Sequence, residues 1–140
     1  MKNIIPTLIL ICCLASCSNG LTTEEIIAQQ EALTNDIEIV FTTTEPNYDE
    51  AMITYYDIDL ATDVSEPYVF NYDSNGDPTP IRLIFDNYEY DFLDGEVFRN
   101  NFSTSSLKVQ VFIEGKLHLE EEKNGNANEF ARINFSFRIP

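Results

Sequence analysis

The chain has 140 residues, of which 24 are acidic and 8 are basic, and its formal net charge is −16. A surface with this charge repels nucleic acid phosphates and anionic lipid headgroups, so the composition argues against both as electrostatic partners. All three cysteines lie within the first 17 residues. The rest of the chain therefore has the length of one domain that must fold without a disulfide.

Residues 1–16 have the features of a secretory signal. Lys2 supplies the positive charge, an apolar stretch follows, and two small residues precede Cys17. The apolar stretch is too short for a transmembrane helix, which needs about 20 residues. Cys12 and Cys13 are then removed with the signal and provide no disulfide, metal or redox site.

The sequence Leu14-Ala15-Ser16-Cys17 resembles the lipobox of bacterial lipoproteins, in which the cysteine follows a small residue and an aliphatic residue lies three positions before it. The resemblance implies that the Cys17 thiol carries a diacylglyceryl group and that Cys17 is the first residue of the mature chain. Two or three acyl chains hold a protein at a bilayer essentially permanently. Ser18, where Asp would retain a lipoprotein at the inner membrane, implies the outer membrane of a bacterial cell envelope.

Residues 17–35 are predicted to form a lipidated tether that contains one short helix. Thr22 and Glu25 have the spacing of a capping box, in which each side chain accepts a hydrogen bond from the other residue's backbone N–H. The isoleucines that follow and Leu33 give this helix a thin apolar stripe. A polar spacer of this kind needs no activity of its own, and we assign none.

Residues 36–140 are predicted to form an all-β domain. Short segments rich in Val, Ile, Thr, Tyr and Phe alternate with Asn, Asp, Gly and Pro, without helical periodicity. The connections are too short for helical crossovers, so we expect an antiparallel, immunoglobulin-like β-sandwich. Its seven to nine strands, of which two can merge, are expected near residues 37–44, 51–59, 67–72, 81–86, 88–93, 96–102, 107–113, 116–122 and 129–139.

A hairpin is predicted in the stretch SLKVQVFIEGKLHLEEE. A two-residue loop at Glu114-Gly115 would pair Val111 with His118 and place the apolar residues of the two strands on opposite faces. A three-residue loop that ends with Gly115 in a left-handed bulge pairs Val111 with Leu117 and gives one apolar face. We therefore predict the three-residue loop, with His118 facing solvent.

The last strand alternates apolar and polar residues, as a strand with one buried face does. Ile133, Phe135, Phe137 and Ile139 form its apolar row. A turn near Gly125 leads into it. We therefore expect the last three strands to form a meander.

This meander and the earlier stretch Ile53-Thr54-Tyr55 resemble the small β-sandwich of the MmpS-like family of exported proteins. In that family an ITY-type strand comes early and an Asp-Gly-Lys hairpin comes late. Here Glu114 stands where Asp is usual, Trp and a late cysteine pair are absent, and a lipobox replaces the membrane helix. The resemblance implies an immunoglobulin-like sandwich and an accessory role beside an envelope complex or transporter.

Asp73, Asn75 and Asp77 place oxygen ligands at alternate positions, as at the start of an EF-hand calcium loop. Such a loop also needs Gly at its sixth position and Glu at its twelfth, where this chain has Pro78 and Ile84. The sequence therefore favours a simple turn that bends at Asn75. Calcium binding by this loop, or contact with another ligand through Asp73, Asn75 and Asp77, is the alternative hypothesis.

The stretch DNYEYDF interleaves aromatic and polar residues over residues 86–92. In one strand, Tyr88, Tyr90 and Phe92 would share a face and the polar residues the other. Exposed tyrosines stack on sugars or on a partner protein, whereas buried ones belong to the core with their hydroxyl groups at its rim. Because the polar residues already supply a solvent face, we expect burial.

No pattern of catalytic or metal-binding residues stands out. No serine lies in a nucleophile elbow, and after the signal no cysteine is present. His118 is the only histidine and cannot form a closed zinc site alone. Since nothing selects two of the 24 acids as a catalytic pair, we predict a protein without enzymatic activity, metal or cofactor.

Three functions remain as hypotheses. The first is a lipid-anchored envelope protein whose sandwich contacts an envelope protein partner through its sheet edges or loops. The second is a surface-displayed glycan or small-ligand binder that uses Tyr48, Tyr88 and Tyr90 or the acidic loop Asp73–Asp77, which requires exposed tyrosines lying close together. The third is a hydrolase with two carboxylates converging in a cleft.

Overall fold

The computed structural model describes residues 22–24, 35–57 and 60–139. The predicted signal, Cys17 and most of the predicted N-terminal helix lie outside these residues, although residues 23–24 have helical backbone. Within the described ranges, no helix has the length and apolar character needed to cross a membrane.

The described domain contains ten strands, two of which have only two residues. They are β1 (Asn35–Thr43), β2 (Glu50–Asp57), β3 (Thr62–Val69), β4 (Asn71–Tyr72), β5 (Pro78–Thr79), β6 (Ile81–Tyr88), β7 (Phe92–Arg99), β8 (Ser106–Ile113), β9 (Lys116–Asn124) and β10 (Arg132–Arg138). Every pairing between them is antiparallel.

Two four-stranded sheets form a sandwich, as the sequence predicts. One sheet has the order β6-β1-β8-β9 and the other β10-β7-β2-β3, while β4 and β5 form a separate small hairpin. The core lies between the sheets because alternate residues of each long strand are apolar and point inward. The rings of Phe41 and Phe135, one from each sheet, are 6.3 Å apart at their centroids.

Gly95 allows a close approach between the two sides of the core. A Cβ atom added to Gly95 would lie 2.3 Å from Cζ of Phe135 and 2.8 Å from the carbonyl oxygen of Thr54. The Phe135 ring therefore occupies the space that a side chain at position 95 would take. A larger residue would force the ring or the backbone to move.

Three predicted strand boundaries are wrong where the chain changes sheets or dips into the core. The expected strand 67–72 begins too late, because β3 already starts at Thr62. It is also interrupted at Phe70, which is fully buried and whose N–H donates to the carbonyl of Asp49 at 2.8 Å. The expected strand 88–93 is broken because residues 89–91 carry the chain from β6 in one sheet to β7 in the other. The strand expected at 96–102 overlaps the second half of β7, which ends at Arg99.

The predicted three-residue loop between β8 and β9 is also wrong. The loop has two residues, Glu114 and Gly115, with φ angles of 50° and 70°. Two consecutive positive φ angles match the right-handed twist of a hairpin, and glycine adopts such an angle without strain.

A bulge at His118 turns one leucine of β9 toward the core, whereas the longer loop was expected to place both leucines on one apolar face. Phe112 pairs with Leu117, but Val111 pairs with Leu119, so His118 is the extra residue of β9. Leu119 thereby packs against the core, while Leu117 lies on the outer face and is 44% exposed. His118 is exposed, as predicted.

The expected C-terminal meander is not formed. β10 pairs with β7, whereas β8 and β9 belong to the other sheet. Residues 125–131 take the chain across, so that Ile133 and Phe135 face the core from the opposite side. The alternation in β10 correctly predicts its buried face, but the predicted pairing of β10 with β9 is wrong because β10 pairs with β7.

Candidate functional site

One end of the sandwich carries a cluster of aromatic side chains that the core does not enclose. Tyr56 is the second-last residue of β2, Tyr88 ends β6, Phe92 begins β7, and Tyr90 lies between the last two. They line two adjoining shallow clefts, the first of which has a volume of about 310 Å³.

The same clefts are lined by four carboxylates, those of Asp57, Asp86, Glu89 and Asp94. We call this surface, with Tyr56, Tyr88, Tyr90 and Phe92, the aromatic–acidic groove. It lies where β2 and β6 end and β7 begins, so all three elements contribute.

A chain of ring contacts connects the groove to the core. Tyr55 contacts Phe85 from the facing sheet, Phe85 contacts Tyr88, and Tyr88 contacts Tyr90, with centroids 5.6, 6.0 and 5.6 Å apart. Each pair meets edge to face, at 70° to 72°. Tyr90 is therefore the outermost ring of a packed series.

Hydrogen bonds fix the segment that carries these tyrosines. The Tyr88 hydroxyl donates to the carbonyl oxygen of Phe92 at 2.7 Å. Asn87, whose φ angle is 55°, donates its backbone N–H to the carboxylate of Asp36 at 3.1 Å. The groove is thus held in shape by the fold itself.

The expected burial is met in part by Tyr88, which packs against the core, and is wrong for Tyr90 and Phe92. Tyr88 is half-buried, but Tyr90 is 46% exposed and Phe92 is 55% exposed. They do not share a strand face, because the chain leaves β6 after Tyr88 and enters the other sheet at Phe92. The exposure condition for a ligand-contact role of Tyr90 is therefore met.

Tyr56 was missed as a member of the site, although the sequence contains a signal for it. Tyr55 and Tyr56 are consecutive in a strand, so their side chains must point to opposite faces. Tyr55 packs against the core, and Tyr56 is 48% exposed. Alternation alone identifies one outward tyrosine at this end of β2.

The groove is electrostatically negative. Asp57, Asp86, Glu89 and Asp94 form no ion pair with any residue that the structure describes. Burial raises the pKa of Tyr88, and the nearby charge of Asp94 raises it further. Loss of the phenol proton is disfavoured because it would add another negative charge to this surface.

The predicted acidic loop forms the turn between β4 and β5. One carboxylate oxygen of Asp73 accepts the backbone N–H of Asn75 at 2.7 Å and that of Asp77 at 3.0 Å. These backbone hydrogen bonds lower the pKa of Asp73, and the bond from Asp77 has the largest effect. The Asp73 carboxylate therefore stabilises its own turn.

The structure does not bring the predicted ligand residues together. At the groove end of the sandwich, Asn35 of β1 pairs with Tyr88, whereas Phe41, near the other end of β1, pairs with Ile81. The β4–β5 hairpin lies at that other end, where Tyr72 contacts Tyr48 with centroids 6.0 Å apart. Asp73, Asn75 and Asp77 are thus remote from the tyrosines of the groove.

Within the described ranges, no three His, Cys, Asp or Glu side chains are placed to hold a metal ion. His118 lies on β9, at the sheet edge opposite to β6, and so belongs to neither cluster. The groove combines exposed rings with carboxylates, an arrangement suited to binding.

Comparisons of the chain with protein-family models, with curated proteins and with solved structures find no match. The function is therefore inferred from the chemistry of the groove and from the sequence patterns.

Proposed function

We propose that this chain is a lipoprotein of the bacterial cell envelope, anchored at the outer membrane through Cys17, whose β-sandwich contacts another envelope protein without catalysis. The anchor follows from the lipobox pattern of residues 14–17. The contact role fits the accessory function that the MmpS-like resemblance implies.

The observation that carries the proposed contact is the exposure of three aromatic rings in one place. Tyr56, Tyr90 and Phe92 are 48%, 46% and 55% exposed. Aromatic residues are enriched in protein interfaces, where they supply much of the binding free energy. Exposed rings on a preformed surface are typical of a site that a partner covers.

The position of the groove also suits a partner in the envelope. Asn35, the first strand residue after the predicted tether, pairs with Tyr88. The groove therefore lies at the end of the sandwich that the tether enters. A partner that resides at the same membrane would meet this end.

A surface-displayed glycan or small-ligand binder is the second candidate. It is supported by the same observation, because Tyr88 is only half-buried and Tyr90 is exposed. Tyrosine rings stack on sugars as well as on proteins. The two candidates differ in the occupant of the groove, which the charges of its lining help to distinguish.

Crosslinking on intact cells tests the proposed function. The full chain would be expressed in a bacterial host, crosslinked and purified from the membrane fraction. The control would carry residues 1–35 fused to an unrelated soluble domain, so that it shares the lipid but not the sandwich. We expect a protein enriched with the full chain only. Equal recovery with both chains would refute the contact role.

The anchor is tested in the same cells with fatty acid labelling. Cys17→Ala should abolish the label and release the chain from membranes, since the thiol is the attachment point. Cys12→Ala with Cys13→Ala is the matched control and should keep both. A labelled Cys17→Ala chain would refute the lipidation.

A further inference from the structure

We propose that the aromatic–acidic groove binds a basic, Lys- or Arg-containing segment of the partner protein. This inference rests on the proposed function and specifies the chemistry of the partner.

The distribution of charge favours a cationic partner. Of the seven Lys and Arg residues that the structure describes, all except Lys116 form ion pairs, and none of their acidic partners is one of the four groove carboxylates. Arg132, for example, pairs with both carboxylate oxygens of Glu96 at 2.7 Å. One of these pairs is beside the groove, since Arg138 is opposite Phe92 and pairs with Asp91 at 3.8 Å. The four groove carboxylates receive no such counter-charge from the described part of the chain. A cationic partner would supply it.

The aromatic surface beside these carboxylates also suits Lys and Arg side chains. Tyr56, Tyr90 and Phe92 expose their rings next to Asp57, Glu89 and Asp94. An ammonium or guanidinium group is attracted to the face of an aromatic ring. The aliphatic stems of Lys and Arg also cover apolar surface while their charged ends reach the carboxylates. Basic side chains therefore satisfy both components of the groove.

The ring geometry and the charge of the groove favour a basic peptide over a sugar as its ligand. The rings of Tyr88 and Tyr90 meet at 72°, so they do not form one flat platform for a row of sugar rings. Neutral hydroxyl groups also leave the repulsion between the groove carboxylates in place, whereas cations relieve it. The geometry and charge both favour the peptide.

The test uses the full chain purified in detergent and a fluorescein-labelled decapeptide of alternating Arg and Ser. Peptide binding is followed by fluorescence anisotropy at about 150 mM salt, where long-range attraction is largely screened. A peptide of alternating Glu and Ser is the sequence-matched control and should not bind.

Two triple variants separate the groove from the general charge of the protein. Asp57→Asn, Asp86→Asn and Glu89→Gln remove three groove charges, and we expect the Kd for the basic peptide to rise at least about tenfold. Neutralising the three consecutive glutamates of β9 with E120Q, E121Q and E122Q removes the same charge at the far sheet edge. This control should change the Kd less than about threefold. An equal rise in both triples would overturn the proposal.

Two single variants test the rings without altering charge. Tyr90→Ser should raise the Kd about three- to fivefold because a cation–π contact is lost. Tyr48→Ser is the matched control, since Tyr48 is 68% exposed at the opposite end of the sandwich. Equal Kd values for these two chains would contradict the role of the rings.

A titration with chitin oligosaccharides provides the competing outcome. Sugar binding that Tyr90→Ser abolishes, without binding of the basic peptide, would assign the groove to glycans and overturn the proposal. The crosslinking experiment distinguishes failure of this inference from failure of the proposed function. A partner whose enrichment the groove triple leaves unchanged would refute this inference alone, whereas no enriched partner would refute the proposed function.

Discussion

Arg99 has the largest fully buried side chain among the described residues. It donates to the hydroxyl of Thr43 and to the carbonyl oxygen of Glu45, each at 2.9 Å, and forms an ion pair with Asp49. Its guanidinium also lies 5.9 Å from the centroid of the Phe70 ring. Arg99 thereby fixes the loop between β1 and β2 against β7.

The sequence predicts that Arg99 points into the core but does not predict its ion-pair partner. Leu93, Val97 and Arg99 fall on the same face of β7, so alternation alone would point Arg99 into the core. Arginine is almost never fully buried without a partner, and the partner, Asp49, is 50 residues away in the chain. The local pattern cannot reveal a pairing that depends on how distant loops pack.

We predict that Asp49 and Arg99 are energetically coupled. Asp49→Asn leaves a buried guanidinium without its counter-charge and should lower the free energy of unfolding by about 3–5 kcal/mol. In an Arg99→Met background the same change should cost less than about 1 kcal/mol, because Asp49 is partly exposed and regains water. Urea denaturation of the chain from Ser18 onward would measure this double-mutant cycle. Additive losses would contradict the coupling.

At the scale of elements, the sequence predicts strands well and registers poorly. The segments 37–44, 107–113 and 116–122 were placed within about two residues of β1, β8 and β9, because alternation of apolar residues is a local property. Both candidate loops of the β8–β9 hairpin were consistent with Gly115. The bulge at His118 brings Leu119 opposite Val111 by shifting the register within β9 instead of at the turn.

The bulge leads to a prediction about deletions in β9. Deleting His118 removes the extra residue and leaves Val111 opposite Leu119, so the free energy of unfolding should change by less than about 1 kcal/mol. Deleting Leu119 places a polar residue opposite Val111 and removes a side chain that packs against the core. That deletion should cost about 2 kcal/mol or more.

The two deletion variants serve as controls for each other, because each shortens β9 by one residue. Urea denaturation of both, under the same conditions, would compare their stabilities. Equal losses would show that the length of β9, and not its register, determines stability. A greater loss for the His118 deletion would mean that the bulge itself is required.

At the scale of the whole molecule, the sequence predicts the sandwich but not its strand order. The apolar rows of β8, β9 and β10 show that each strand has a buried face, and this is equally true of neighbours in one sheet and of strands in facing sheets. β10 joins β7, with Arg132 opposite Phe98, although β9 precedes it in the chain. The groove could not be predicted for the same reason, since β2, β6 and β7 meet only in the folded structure.

Charge is the other property of the whole molecule. With a formal net charge of −16, the folded chain repels itself, and the four unpaired carboxylates of the groove concentrate part of that repulsion. If the groove binds a cationic partner as proposed, its charge is a source of instability in the free protein. The cost should be measurable through screening and through neutralisation of the groove.

We therefore predict that salt stabilises the free chain. Raising the salt concentration from about 10 to 150 mM shortens the Debye length from about 30 to 8 Å and should raise the Tm by several degrees.

At low salt, the groove triple of Asp57→Asn, Asp86→Asn and Glu89→Gln should already have a higher Tm than the unaltered chain, and its Tm should rise less when salt is added. The β9 triple should not be stabilised, because its glutamates pair with Lys108 and Lys123. Calorimetry of the three chains at both salt concentrations would test this, and equal Tm shifts for the two triples would show that the repulsion is not concentrated in the groove.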